Sequence, residues 1–70
     1  MDILILKTDI ESEKDTKLVN NYLRYYYPIN ELSVDLGDKD KVMRITGKDL
    51  SQREVVNKIT SLGFKCEELL

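Results

Sequence analysis

Apolar residues cluster along this chain, and the period of each cluster predicts an element. Ile3-Leu4-Ile5-Leu6 is unbroken and runs into Lys7 and Thr8. A short unbroken apolar run predicts a strand covered on both faces or flanked by other strands, that is, a central one. Leu18, Val19, Tyr22, Leu23 and Tyr26 recur at spacings of three and four, which is one face of a helix. Ser12 opens that helix, and Asp15 three residues on gives the form of a capping box, with a shorter reach than glutamate. Pro28 stops it, since the residue before proline avoids helical angles.

The next stretch alternates. Leu32, Val34 and Leu36 interleave with Glu31, Ser33 and Asp35, predicting a strand with one buried face. Gly37-Asp38-Lys39-Asp40 is turn chemistry, and Val42 to Thr46 is the return strand with Met43 and Ile45 inward. Gly47 to Leu50 reads as a loop. Ser51 with Glu54 forms a second capping box, and Val55, Val56, Ile59 and Leu62 give the helix after it an apolar face. Gly63 stands where a left-handed helix end belongs. Phe64 to Leu70 is a last short strand with Phe64 and Cys66 on one side. The order β-α-β-β-α-β predicts an α+β, ferredoxin-like sandwich: a four-stranded antiparallel sheet with two helices on one face.

Composition narrows the functions open to such a chain. Seventy residues predict a single domain over 1–70, without room for a second core. The net charge of -2, with no uniformly basic segment, argues against nucleic acid, because phosphate binding draws on clustered Lys and Arg. The single Cys excludes an internal disulfide and suits a reducing, cytoplasmic setting. No signal peptide is expected, and Ile3 to Leu6 is far too short to span a bilayer, so no membrane partner is expected either.

With the elements placed, the chain resembles a heavy-metal-associated domain of the small copper-chaperone family over nearly all its residues. The resemblance rests on the element order, on Lys7-Thr8 closing the first strand and on Val34-Asp35-Leu36 ending the second. Leu50-Ser51 before the second helix and Leu62-Gly63-Phe64 after it also fit. In that family the first loop carries two cysteines, two residues apart, that hold a soft metal ion. Aligned on Lys7-Thr8, those positions fall on Ser12 and Asp15. The resemblance therefore implies a degenerate member without the cysteine pair. Cu(I) and similar soft ions need sulfur ligands, and a hydroxyl with a carboxylate supplies only hard oxygen. No cofactor is expected, and metal is not the expected cargo.

Other candidates for chemistry are weighed from the residues themselves. Asp9, Glu11, Glu13 and Asp15 alternate and invite a hard-cation reading. A calcium loop counted from Asp9 would need Gly at Lys14 and Glu at Asn20, so the acids read instead as partners of the helix dipole. Tyr22, Tyr25, Tyr26 and Tyr27 supply nearly all the aromatics, and turning 100° per residue they cannot all face the core. Tyr22, Tyr25 and Tyr27 form the expected interaction surface, shared with the first loop. Cys66 reads as a small buried hydrophobe. Without His, a nucleophile with an identifiable base or a Gly-rich phosphate loop, an enzyme is not expected. The favoured reading is a non-catalytic interaction module that meets a protein partner or a second copy of itself. The alternative is weak metal binding or trafficking through oxygen ligands at Asp9, Glu11, Ser12 and Asp15. A small-molecule sensor is a third reading, by fold analogy alone.

Overall fold

The structure is a computed structural model and describes residues 1–69. Asp2–Thr8 is β1, Glu13–Tyr26 is α1, Ile29–Val34 is β2, Met43–Gly47 is β3, Gln52–Ser61 is α2 and Cys66–Glu68 is β4. The strands lie in the order β2-β3-β1-β4, every pairing antiparallel. This is the ferredoxin-like βαββαβ sandwich.

The alternation of β1 decides how the layers stack. Leu4, Leu6 and Thr8 point to the helix layer and are buried, while Ile3 is 54% exposed on the other face. The run of four apolar residues thus marks a strand central in the sheet but covered on one face only. Met43 and Ile45 of β3 lie beside them, fully buried. Val19 and Leu23 of α1 and Val55 and Ile59 of α2 close the core from above. Each helix drives only two fully buried side chains into it. Leu18, although in phase with Val19, is 51% exposed. Tyr26 was expected on the same inward face and is 48% exposed. A short helix lying on a sheet buries a narrow stripe, and positions at the stripe's margin stay wet.

Helix ends follow local chemistry. The Asp15 N–H donates to Ser12 Oγ at 3.1 Å, and the Glu54 N–H donates to Ser51 Oγ at 3.4 Å. The second box is not reciprocal as expected, because the Glu54 carboxylate accepts instead from the Tyr27 hydroxyl at 3.2 Å. Gly63 ends α2 at φ +100°, a conformation side chains other than glycine rarely adopt.

The hairpin differs from expectation at both of its ends. β2 starts at Ile29, directly after Pro28, rather than near Leu32, and a bulge at Asn30 keeps Ile29 and Leu32 on the same face. Leu36 lies beyond the strand in the turn, though it still packs on the core. Gly47 belongs to β3, where the chain passes so close that a Cβ would sit 2.7 Å from the Pro28 carbonyl oxygen. β4 is shorter than expected and begins at Cys66, with Phe64 half-buried before it; the expected end of that strand at Leu70 lies outside the described residues.

Candidate functional site

The segment between β1 and α1 is tied to the rest of the molecule at every residue that matters. Thr8, buried at the end of β1, donates its hydroxyl to the Lys41 carbonyl at 2.6 Å and accepts from the Ile10 N–H at 3.3 Å. Its own N–H donates to the Asp40 carbonyl at 3.1 Å. Lys41 sits at φ 45° in the hairpin loop, held there by Thr8 and by its own ammonium on the Leu36 carbonyl. Asp9 turns the other way and accepts from the Lys65 N–H at 2.8 Å, joining the loop to the approach of β4. Between them Ile10 drops its side chain fully into the core. No periodic pattern points to Ile10, because its neighbours are Asp9 and Glu11; an isolated branched apolar residue among acids is its only sequence signal.

The Ser12 and Asp9 oxygens of this loop are already employed. Ser12 Oγ accepts from Asp15, Ser12 O accepts from both the N–H and the hydroxyl of Thr16, and the Asp9 carboxylate is held by Lys65. Glu11 and Glu13 point into solvent. Among the described residues no three His, Cys, Asp or Glu side chains converge as a metal site. A soft ion does not fit Ser12 and Asp15, since neither brings sulfur and the serine oxygen is occupied by the helix it caps.

Cys66 supplies no ligand to this loop. It pairs with Thr8 across β1 and β4, faces the core and is buried. Burial pushes its thiol up to about 11 from an ordinary 9.0, with Asp9 and then Glu67 adding to the effect. The unfolded chain sheds this proton near pH 9 and the folded chain only near 11. Stability is therefore full below pH 9 and declines as pH rises through that window. The expected loss is on the order of 2 kcal/mol by pH 11. Denaturant melts from pH 8 to 11 check this against Cys66→Val, which should flatten most of the decline; an equal slope in both proteins removes the thiol as its cause.

The tyrosines at the far end of α1 divide into two groups. Tyr27 is half-buried and bonded to Glu54, so it ties α1 to α2 more than it offers itself to a partner. Burial and then the Glu54 charge hold its phenol above the ordinary value. Tyr25 is 82% exposed. It meets Tyr26 edge-on at 5.0 Å, and Tyr26 meets Tyr22 edge-on at 5.4 Å. The Lys58 ammonium lies 3.8 Å from the centre of the Tyr26 ring, a cation held on its face by the ring quadrupole. Tyr22, through its charge and hydrogen bond, pushes the Tyr26 phenol up, so it is neutral at physiological pH. Leu18 continues this stripe one turn down the helix. The surface expected from the sequence comprised Tyr22, Tyr25 and Tyr27; Tyr26, Leu18 and Lys58 lie beside it through the way α1 and α2 meet. Tyr25 and the first loop lie toward opposite ends of α1, roughly 20 Å apart at 1.5 Å per residue, with Leu18 between them.

No protein-family model matches the sequence, and no curated protein matches it. Solved structures do. The yeast copper transporter domain Ccc2a, studied in apo and Cu(I)-loaded states, superposes with a TM-score of 0.80 at 20% identity, over 97% of this chain and 94% of that one. A copper binding domain from HMA7, a P-type ATPase, gives a TM-score of 0.80 at 15% identity, over 100% of this chain and 96% of that one. The chain therefore has the fold of heavy-metal-associated domains, and it carries one cysteine.

Proposed function

We propose that this is a non-catalytic domain on a heavy-metal-associated scaffold that works through protein contacts made by the aromatic stripe of α1. The observation that carries the reading is Tyr25, 82% exposed yet packed edge-on against Tyr26. Aromatic rings that are already ordered lose little entropy on binding and offer both apolar area and a hydroxyl. Tyr22 and Lys58 support the stripe from below, and Tyr27 holds the end of α1 in place through Glu54.

The chemistry of the first loop supports the same reading from the other side. The solved structures this chain superposes on are copper domains. At Ser12 and Asp15, the positions where the family resemblance sets its cysteine pair, this chain has a serine spent on capping and a carboxylate. A reducing, cytoplasmic setting suits a sole thiol that stays protonated and buried.

Photo-crosslinking separates this reading from metal handling. A benzophenone amino acid placed at Tyr25 should capture a discrete protein partner in extracts of the source cell. The same group at Lys39, near the opposite end of α1, should not. Amide NMR titrations with Cu(I), Zn²⁺ and Ca²⁺ should leave residues 9–15 unshifted. Saturable shifts there at micromolar metal, with no product unique to position 25, would instead establish a metal protein using Asp9, Glu11, Ser12 and Asp15.

A further inference from the structure

Two of the strands are sheet edges, and one of them is guarded along only part of its length. Among the described residues β2 pairs with β3 on one side and with no strand on the other. The Asp35 N–H donates to the Val42 carbonyl at 2.9 Å, in step with Val34 opposite Met43 and Ser33 opposite Arg44. In an antiparallel ladder hydrogen-bonded and non-bonded pairs alternate, so Ser33 spends its backbone groups on Arg44 while Leu32 and Val34 do not. The N–H and C=O groups of Leu32 and Val34 therefore point outward from the sheet.

The first half of this edge carries devices that natural sheets use against pairing. Pro28 precedes it, Asn30 bulges, and the Arg24 guanidinium donates to the carbonyls of Ile29 at 2.9 Å and Asn30 at 3.3 Å. From Glu31 to Val34 the strand is regular and has neither proline nor lysine. A groove of about 420 Å³ runs along it, with Arg24, Glu31, Ser33 and Arg44 in its walls.

We propose that β2 adds antiparallel to β2 of a second copy about a twofold axis at Leu32, joining two four-stranded sheets into one. In this register Leu32 faces Leu32 of the second copy as a hydrogen-bonded pair, and Val34 faces Asn30. Leu32, half-buried in the single chain, gains an apolar neighbour at the axis. Arg24 keeps the Ile29 carbonyl and gives up the longer contact to Asn30.

Charge sets the register. Glu31 falls opposite Ser33 of the second copy, and Arg44 of that copy stands next in the same row, because Ser33 pairs with Arg44. Two strand spacings of about 5 Å each bring the Arg44 guanidinium within reach of Glu31 across a small serine. Symmetry forms this ion pair twice. Within one chain neither group is so paired: the salt bridge among the described residues is Lys7 to Asp40 at 3.6 Å. Sliding by two residues would oppose Glu31 to Asp35 in one direction and to Glu31 of the second copy in the other, and setting Glu31 against Glu67 on the other edge would again oppose two carboxylates. All three are disfavoured by like charge.

Sedimentation of the full chain from micromolar to millimolar concentration tests the pairing, independently of the tyrosine stripe. Mass should rise from 8.2 kDa toward twice that value. The amides of Leu32 and Val34 should gain exchange protection over the same range. Glu31→Arg and Arg44→Glu, both exposed and compatible with the fold, should each weaken association by about tenfold. Combined, they should restore it, and Tyr25→Ser should leave it unchanged. A monomer at every concentration overturns the proposal. So does a dimer whose Leu32 and Val34 amides stay unprotected, or a double variant no tighter than the single ones.

Discussion

Shortening Ile10 to alanine is expected to lower the free energy of unfolding by about 2–4 kcal/mol, although the residue sits in a loop of otherwise polar side chains. Its side chain is fully buried beneath the segment that joins β1 to α1. Removing its outer carbons leaves a cavity that the neighbours cannot fill, because Thr8 and Asp9 on one side and Ser12 on the other are pinned by hydrogen bonds. A chain of this length holds only a few kcal/mol in total. Urea melts at neutral pH should show Ile10→Ala as one of the most damaging single truncations, comparable with truncating Leu23 in the core. Glu11→Ala next to it should move the midpoint little, since Glu11 is exposed. If the two variants unfold together, the loop is not anchored through Ile10.

The second large effect is a gain. The double variant Ser12→Cys with Asp15→Cys is expected to take the protein from no saturable binding of Cu(I) to stoichiometric binding. The Ser12 oxygen already lies 3.1 Å from the Asp15 backbone N–H, which puts both positions in the first turn of α1. Thiols at a helix N-terminus ionise more easily, which supplies the soft thiolates that oxygen ligands cannot. Losing the serine cap should lower the stability of the metal-free variant by about 1 kcal/mol. Cu(I) should return that and more, because it binds the folded form. Thermal melts with and without Cu(I) under reducing conditions read both changes at once. A fully reduced double variant that neither binds Cu(I) nor gains stability from it would separate this scaffold from that of the copper domains it superposes on.

Much of the fold can be read from residues that obey one period. Val19 and Leu23, Val55 and Ile59, and Met43 and Ile45 were expected inward and are fully buried. The failures occur where a position's fate depends on distant chain. The bulge at Asn30 shifts phase by one residue, which hid Ile29 as the true start of β2. Leu18 and Tyr26 keep helical spacing, yet they sit at the margin of the buried stripe and stay half-exposed. Glu54 has the sequence signature of a capping box and turns to Tyr27, 27 residues away, a choice no local pattern contains. The loop shows the same division. Ser12 as the cap of α1 was plain from its spacing to Asp15, whereas the ties of Thr8 to Lys41 and of Asp9 to Lys65 span 33 and 56 residues and were not.

The burial of Cys66 has a kinetic consequence. Cys66 is only 9% exposed while β4 lies against β1, so a bulky thiol reagent is hindered there, and the sequence offers it no other thiol. Labelling is therefore favoured when β4, an edge strand of three residues, parts from β1. With reagent in excess the rate of modification counts how often that edge opens, and with reagent scarce it reports the fraction that is open. The domain thus carries its own clock for breathing, in a single atom and without any added probe.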